Sequence, residues 1–487
     1  MKNTDVIGLA VEYLNKKCKA NISTEYYTDV KTWREWWEGY VDDVHSYREM
    51  GIDGAPRKRK LHRLQMAKRI CEDWAAVLLN EKTTLTVEHS ASSVFLQGED
   101  GTGGALGYNN FWMEANELLE KAFAFGTGAF VARAEGATVD ANGRVIPSAD
   151  CKPGIEYVDA MHIIPLSVKK SQITECAFVS TYTERGKDCC YIETHTHDKD
   201  GIYHIENECF MIEGSQLKKK ALPDGIAEKI NTGGKYKWFS IIYPNITNNR
   251  SNNNGLGLSV YANSTDNLLA VDIAFNNFVK DFKLGGKKVF YNKSMLHQNS
   301  EGKTITPDDV AQQLFQQVGD GLDFDAKQMV QEFNPSLRVT ENKEGVQAQL
   351  DYLSFKCGMG THRYKFENSG VKTATEYVGE RQELVQHASR HMIVIESALK
   401  TLCAAILHIG KVFCGADTDP DTLITVDFED GFVIDENTQR EQFRQDVRDG
   451  LREPWEYRVK FFGETEAEAK AAVNGMATAQ TNPFNFA

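Results

Sequence analysis

The feature that most constrains the fold is a run of nine apolar residues spaced by threes and fours: Val385, Ala388, Met392, Ile395, Leu399, Leu402, Ile406, Ile409 and Phe413. This spacing predicts one long amphipathic helix with a narrow apolar seam. The tetrad Thr373-Ala374-Thr375-Glu376 before it has the pattern of a capping box. From this cap the helix spans roughly 60 Å at 1.5 Å per residue. Because Glu396, Lys400, His408 and Lys411 interrupt the apolar stretch, a membrane span is disfavoured.

Two shorter helices of similar length precede it and flank a compact insert. Leu268, Val271, Phe275, Phe278 and Phe282 predict the first helix, which ends at Gly285-Gly286. The second is predicted over residues 340–359, with Val346, Leu350, Leu353 and Cys357 on one side. The insert between them is interpreted as strand, helix and strand, with strands at 288–291 and 328–333 and a helix opening at Thr306-Pro307. Four lysines lie around the C-terminal end of the first helix, where cations interact favourably with the partial negative charge of the helix dipole: Lys280, Lys283, Lys287 and Lys288.

The first 125 residues are predicted to be helical and residues 126–243 to be rich in strands. Helical spacing joins Trp33, Trp36, Trp37 and Tyr40, then Ala67, Ile70, Cys71 and Trp74, and then Trp112, Ala115, Leu119 and Ala122. Strand-like runs follow at 129–134, 163–168, 177–182, 191–196 and 202–205, with a hairpin turn at 198–201. Acidic helices are expected over 435–473, and the tail from Ala477 to Ala487 is expected to be disordered.

Charge and cysteine content narrow the function classes. The formal net charge of −14 argues against a high-affinity, sequence-reading DNA binder, although it permits a channel in which DNA slides. The ten cysteines include no C-x-x-C pair and are interpreted as reduced, mostly buried thiols. The apolar run from Val6 to Val11 is too short for a secretory signal, so synthesis in the cytoplasm is expected.

The motifs of the common enzyme classes are incomplete. Gly302-Lys303-Thr304 is half of an ATPase phosphate loop, but His297 stands where its first glycine is required. His195, His197 and Asp198 could contribute to a metal site, yet further ligands are missing and a solvent-facing hairpin is the simpler interpretation. The basic run Arg57 to Lys60 is interpreted as a solvated or subunit-bridging helix face, with a stand-alone nucleic-acid-binding module as the alternative. The chain is therefore predicted not to be an enzyme and to bind no cofactor or metal.

Several short signatures, taken in order, resemble the portal proteins of tailed siphophages of Gram-positive hosts over roughly Thr32 to Val473. They are Pro244-Asn245 with Asn248-Asn249, Gly257-Leu258-Ser259-Val260-Tyr261, Lys372-Thr373-Ala374-Thr375-Glu376, Val426-Asp427-Phe428 and Glu453-Pro454-Trp455-Glu456-Tyr457-Arg458. The family more often has a Trp after the Asp of the fourth signature. On the residues alone, ordinary helix-bundle cores also explain the apolar seams.

The resemblance implies an α+β portal fold. Its regions would be a wing (1–255), a first stem helix (256–286), a clip (287–339), a second stem helix (340–359), a tunnel loop (360–372), a long wing helix with a closing strand (373–434), and crown helices with a tail (435–487). It further implies a dodecameric ring at one capsid vertex of the virion, made in the host bacterial cytoplasm. Double-stranded DNA would pass through it during packaging and ejection. The implied partners are the terminase large subunit, a head-tail adaptor, and the major capsid and scaffolding proteins, with no membrane.

The loop over 360–372 is the predicted DNA contact. It is cationic and carries His362, Arg363, Lys365 and Lys372, which a ring would repeat around its channel. Phosphate contacts of this kind position a duplex without reading its bases. Glu376, Glu380 and Glu383, just after the loop, are a possible acidic lining of the same channel. The alternative is a solvated loop whose cations pair with Glu367 or with a neighbouring subunit.

Overall fold

A computed structural model describes residues 3–50, 54–80, 82–99, 101–140, 143, 145–148, 150–223, 225–250, 255–291, 300, 315–317, 330–366, 374–428 and 436–480. These residues form both helices and sheets, in agreement with the predicted α+β class. The chain divides into two compact units. The first comprises Met1–Asn368 and Gln386–Phe428, and the second comprises Ser369–Val385 and Glu429–Ala487.

The described α-helices lie before residue 126 and after residue 264. They are α1 (Asn3–Cys18), α2 (Glu25–Trp37), α3 (Asp42–His45), α4 (Met66–Leu78), α5 (Ser90–Gln97), α6 (Gly104–Tyr108), α7 (Phe111–Phe125), α8 (Thr265–Leu284), α9 (Val339–Lys356), α10 (Ala374–Val412), α11 (Glu436–Arg448), α12 (Pro454–Phe462) and α13 (Glu466–Gln480).

The strands concentrate between residues 128 and 242. They are β1 (Ser46–Met50), β2 (Pro56–Lys60), β3 (Thr84–Val87), β4 (Gly128–Glu135), β5 (Thr138–Val139), β6 (Val145–Ile146), β7 (Lys152–Asp159), β8 (Ile163–Lys169), β9 (Gln172–Glu184), β10 (Lys187–His197), β11 (Tyr203–Glu213), β12 (Gln216–Lys220), β13 (Lys229–Asn231), β14 (Phe239–Ile242), β15 (Lys288–Tyr291), β16 (Phe315–Gln317), β17 (Val330–Phe333) and β18 (Ile424–Asp427).

Two larger antiparallel sheets form most of the β-rich part, and the short strands β5 and β6 pair separately. One has the order β12-β11-β10-β9-β8, with β13 added against β11, and the other has the order β14-β4-β7. The five strands predicted between residues 129 and 205 are confirmed. The turn at 198–201 is also confirmed, because the Asp198 side chain accepts hydrogen bonds from the backbone N–H groups of Asp200 and Ile202, each at 2.9 Å. Eight of the ten cysteines are buried, as predicted.

Helices α2, α4, α7 and α10 surround an aromatic core in the first unit. The His391 ring on α10 lies 4.8 Å from the Trp74 ring and 5.0 Å from the Phe123 ring, measured between centroids. The Tyr27 hydroxyl donates to the Ile163 carbonyl at 2.7 Å, which joins α2 to the sheet. Strand β18 pairs with β3, so a segment near residue 425 is tied to one near residue 85. The predicted helical stripes of α4 and α7 thus form a core shared with the long helix.

The two shorter helices, α8 and α9, pack against each other, and α8 begins at Thr265 rather than at residue 256. The segment before it is irregular and largely buried. At its start, Gly257 crosses Gly126 so closely that a Cβ on Gly257 would overlap the Gly126 carbonyl oxygen. At the far end, Asp281 of α8 accepts hydrogen bonds from the Arg338 guanidinium at 2.8 Å and from the Asn342 amide at 3.1 Å. This contact links the last turn of α8 to the first turn of α9.

Three further expectations need correction. The basic run Arg57 to Lys60 lies in strand β2 of a hairpin, not on a helix, because it pairs with β1 from Ser46↔Lys60 to Met50↔Pro56. The insert contains a strand that was not predicted, β16, which pairs in parallel with β15. Helix α13 continues to Gln480, so the first residues of the expected disordered tail are helical. The helix predicted to open at Thr306 lies outside the described residues.

Helix α10 has 39 residues and confirms the long predicted helix. Residues Gln382–Val412 are long and apolar enough to cross a membrane by length and composition, but 56% of the most apolar 18 residues are buried within the protein. This burial is typical of a core helix. In the second unit, α11 and α12 pack through the rings of Phe443, Tyr457 and Phe461, and Arg458 forms a two-pronged ion pair with Glu464.

Candidate functional site

The first residues of the predicted DNA-contacting loop are fixed to the body of the first unit. Helix α9 ends at Lys356, and Gly358 and Gly360 beyond it both adopt positive φ angles, +77° and +81°. Such angles suit glycine because it has no Cβ. The Ser354 hydroxyl donates to the Gly360 carbonyl at 2.6 Å, and the Trp74 indole N–H donates to the Cys357 carbonyl at 3.2 Å. The loop therefore leaves the helix in a defined direction.

His362 and Arg363 both face carboxylates of the same chain. The His362 Nδ1 lies 3.2 Å from Oδ2 of Asp351 on α9. The Arg363 guanidinium lies 3.7 Å from Oδ1 of Asp73, a buried carboxylate on α4 that Arg69 also approaches at 2.9 Å. Arg363 thus pairs with a carboxylate of its own chain, Asp73, and not through the surface of a neighbouring subunit alone. Glu367, the partner considered in the alternative, lies outside the described residues.

Tyr364 lies next to the Asp73 carboxylate of this network. Its side chain is largely buried, and burial together with the nearby Asp73 carboxylate raises the pKa of its hydroxyl. The Gln347 amide donates both to the Tyr364 carbonyl at 3.0 Å and to Asp351 at 2.9 Å. The next two side chains, Lys365 and Phe366, are exposed, Phe366 by 70%. Among the described loop residues, Thr361, His362, Lys365 and Phe366 are therefore exposed, whereas Arg363 and Tyr364 are partly buried.

The remaining loop and acidic residues are only partly described. Lys372 lies outside the described residues. Glu376 and Glu380 belong to the first turns of α10, and their side chains are outside the described part of the structure. Glu383, one turn further, is exposed. A common channel face for these residues stays a prediction.

The lysines at the end of α8 contact three different neighbours. Lys280 lies over the Tyr47 ring, with its Nζ 4.8 Å from the ring centroid. Lys283 lies 2.8 Å from the His62 Nε2, and Lys287 forms an ion pair with Glu332 of β17 at 2.6 Å. Lys288 lies in β15, and its side chain is outside the described part of the structure. Two of these contacts reach the segment that contains the basic hairpin.

A buried polar cluster on α8 was not predicted from the sequence. His45 accepts a hydrogen bond at Nδ1 from the Val41 N–H at 2.9 Å, which leaves Nε2 to donate to Asp272 Oδ2 at 3.1 Å. The second oxygen of Asp272 accepts from the Leu64 N–H at 2.7 Å. One turn further, Asn276 accepts from the His62 N–H at 3.1 Å. The sequence signal for this cluster is the pair Asp272 and Asn276, two polar residues at i and i+4 within an apolar seam of the helix.

The histidine proposed as a metal ligand has other partners. His195 is fully buried, so the solvent-facing interpretation is wrong for this residue. Its Nδ1 lies 2.6 Å from the Tyr203 hydroxyl and its Nε2 lies 2.6 Å from Glu193. Burial acts to raise the pKa of Glu193, but Arg133 at 2.8 Å and the hydrogen bond with His195 outweigh it, so this pKa lies below its ordinary value. Within the described ranges, no group of three or more His, Cys, Asp or Glu side chains could hold a metal ion.

Clefts in the first unit do not assemble a recognisable catalytic set among the residues that the structure describes. One cleft of about 320 Å³ lies between α7 and the sheets and is lined by paired charges, including Arg133 with Glu156 and Lys121 with Glu117. Another, of about 500 Å³, lies beside Asn245, His387 and Arg390. The half phosphate loop at Gly302 is outside the described residues.

Comparison with known proteins gives one family. The sequence model described as "Phage portal protein, SPP1 Gp6-like" matches residues 16–460. Comparison with curated protein sequences finds no match. The family match covers all the elements from the end of α1 to most of α12, including the anchored loop and the paired helices.

Proposed function

Because the chain belongs to the family of SPP1 Gp6-like phage portal proteins, we propose that it forms a dodecameric ring at one capsid vertex and that double-stranded DNA passes through this ring during packaging and ejection. Proteins of the family are structural capsid proteins that form homo-oligomeric rings and associate with DNA and other phage proteins. The family match over residues 16–460 is the observation that carries the proposal. The chain acts without catalysis of its own, and its source is a siphophage of a Gram-positive host.

The exposed apolar side chains of α8 and α9 support ring formation. Ile273, Phe282, Leu284, Tyr352 and Phe355 are all exposed in the single chain. Water around apolar side chains is unfavourable, and exposed apolar surface is typical of contacts between proteins. A head-to-tail ring requires two different surfaces on each subunit, and paired helices with an apolar exterior fit one of them. These helices correspond to the stem in the proposal.

The proposal assigns the other regions by the resemblance to portal proteins. Residues 1–255 form the wing, and 287–339 form the clip that meets the terminase large subunit and later the head-tail adaptor. The crown comprises 435–487, and 373–434 provide the long wing helix and the closing strand. The major capsid and scaffolding proteins are the further partners, and assembly takes place in the host bacterial cytoplasm. The first stem helix is taken as α8, Thr265–Leu284.

The tunnel loop contacts the DNA backbone through its outward residues. The exposed side chain of Lys365 supports a DNA contact by this residue. Lys372 is the second proposed contact and precedes α10 in the sequence. His362 and Arg363 face Asp351 and Asp73, so in this proposal they position the loop. Weak, sequence-independent phosphate contacts suit a conduit in which DNA must move.

The test compares two double variants with the same loss of charge. Lys365→Ser with Lys372→Ser removes the two lysines that the proposal assigns to DNA contact, and Lys218→Ser with Lys219→Ser removes two exposed lysines from β12. Both variants should assemble rings. Only the loop variant should change the DNA content of heads in infected cells. Normal packaging, DNA retention and infectivity in the loop variant would leave the loop without a DNA role.

A further inference from the structure

The hairpin of β1 and β2, here called the basic arm (residues Ser46 to Lys60), projects from the first unit as an exposed ribbon. All five residues of β2 and the last three of β1 are exposed. A hydrogen bond from the Leu61 N–H to the His45 carbonyl, at 2.9 Å, closes its base. A two-stranded hairpin without a packed face is marginally stable in water, and its free edges invite pairing with another chain. The arm therefore has the properties of a segment that is completed by a partner.

The arm and the end of α8 together form one cationic surface. The arm contains Arg48, Arg57, Lys58, Arg59 and Lys60 against two carboxylates, a net charge of +3. Tyr47 of β1 lies under Lys280, and His62, just after β2, contacts Lys283. Two clusters that are separated by about 220 residues in the sequence thus meet in the fold.

The base of this surface is held in a fixed place. Asp272 and Asn276 of α8 accept hydrogen bonds from the backbone N–H groups on either side of Arg63 in the sequence. The Arg63 guanidinium and the Lys60 ammonium both lie over the Tyr40 ring, at 4.8 and 4.9 Å from its centroid. Because these contacts fix the base, the arm presents its charges in a set direction relative to α8.

We propose that the basic arm binds an acidic surface on a neighbouring copy of this chain. The arm's +3 leaves −17 on the rest of a chain whose net charge is −14, so each copy offers the complementary charge. Arm pairs within the chain, such as Lys58 with Asp42 and Arg59 with Glu49, lie in solvent and hold their partners weakly. They can therefore be exchanged for partners on another subunit.

Apolar side chains at the same surface favour a protein over nucleic acid as the partner. Met50 in the arm is 67% exposed, and Phe282, in the same turn of α8 as Lys283, is 50% exposed. Charged phosphate groups make no favourable contact with apolar side chains, whereas the surface of another subunit can bury them. The inference rests on the ring that the proposed function includes, and it adds which surface joins the copies.

The test uses the full-length protein and two triple variants with equal loss of charge. Arg57→Ser, Lys58→Ser and Arg59→Ser neutralise the arm, and Lys218→Ser, Lys219→Ser and Lys220→Ser neutralise strand β12. Mass photometry over a concentration series measures the fraction of rings. The arm variant should need about ten-fold more protein to form rings, whereas the β12 variant should match the unmodified chain. Circular dichroism and thermal melting check that each variant is folded.

A second measurement needs no substitution. Copies labelled with ¹⁴N and ¹⁵N are mixed, assembled and treated with a zero-length reagent that joins lysines to carboxylates. Cross-links from Lys58 or Lys60 to a carboxylate of a differently labelled copy support the inference. Cross-links confined to one copy, or an arm variant that assembles like the unmodified chain, overturn it. If the unmodified chain forms no ring but mixed-label arm cross-links appear in smaller oligomers, the proposed function fails and the arm contact stands.

Discussion

The imidazole Nε2 of His45 lies 3.1 Å from the Asp272 carboxylate, although 227 positions separate the two residues in the sequence. Both side chains are buried, and Asp272 also accepts a hydrogen bond from the Leu64 N–H. The contact attaches the N-terminal segment, with its basic hairpin, to the middle of α8. It makes the position of that hairpin depend on a helix that is remote in the sequence.

Asp272→Ala should lower the free energy of unfolding by about 1–3 kcal/mol. The substitution leaves the buried His45 Nε2–H and the partly buried Leu64 N–H without their acceptor, and an unsatisfied buried donor costs an amount of this order. Urea denaturation followed by circular dichroism measures the change. Asn276→Ala should act in the same direction because it removes the acceptor of the His62 N–H. Asn277→Ala, the adjacent exposed position, is the matched control, and an equal loss in both asparagine variants would contradict the account.

Gly257→Ala should destabilise the chain by at least about 1–3 kcal/mol, the usual range for forcing atoms into a packed site. The new Cβ would overlap the Gly126 carbonyl oxygen, which is backbone and cannot rotate away. Gly257 also donates its N–H to the Thr127 hydroxyl at 2.9 Å, so a shift would disturb that hydrogen bond. Gly286→Ala is the control, since a Cβ there meets no described atom within 4 Å. Equal thermal melting temperatures for the two variants would be the contrary result.

Acidification should destabilise the first unit because two buried histidines of α10 are held neutral. Burial lowers the pKa of His391 to about 3 and that of His408 to about 4. Each accepts a hydrogen bond at Nδ1, His391 from the Asn245 N–H and His408 from the Trp238 indole, which a protonated ring could not do. Their pKa values in the unfolded chain stay near the ordinary 6.5.

Stability decreases on acidification because the unfolded chain takes up protons that the folded chain does not. As the pH falls below about 6.5, the unfolded chain binds protons at both histidines while the folded chain does not. Stability should therefore fall until the pH reaches about 4 for His408 and about 3 for His391, by up to about 1.4 kcal/mol per pH unit for each. Urea midpoints at pH 7 and pH 5 measure the slope. His391→Gln should flatten it, and a slope unchanged in that variant would exclude His391 as a source.

The sequence predicts the regular elements well because their signals are local. The apolar spacing from Val385 to Phe413 gives α10, and runs of β-branched and aromatic residues give β4 and β8 to β11. Strands β5, β6 and β7 were not predicted. The basic run at Arg57 misleads, since a strand whose side chains are all exposed shows no apolar alternation. Its pairing with Ser46–Met50 is the observation that corrects the helix assignment.

The candidate site is harder to predict because its contacts are between distant residues. Arg363 is visible in the sequence as a loop cation, but its partner Asp73 lies in α4 among apolar residues and carries no local mark of that role. The resemblance to portal proteins, in contrast, is confirmed at the level of the family by the match over residues 16–460. Short signatures in a fixed order carry that information, whereas side-chain pairing depends on the whole fold.

The most direct test of the central claim is electron microscopy of the purified full-length protein in negative stain, over a range of salt concentrations. We predict that the purified protein forms closed rings with a central channel. Rings taken from assembled heads should show twelve-fold symmetry in class averages. A monodisperse monomer under every salt condition would contradict this claim.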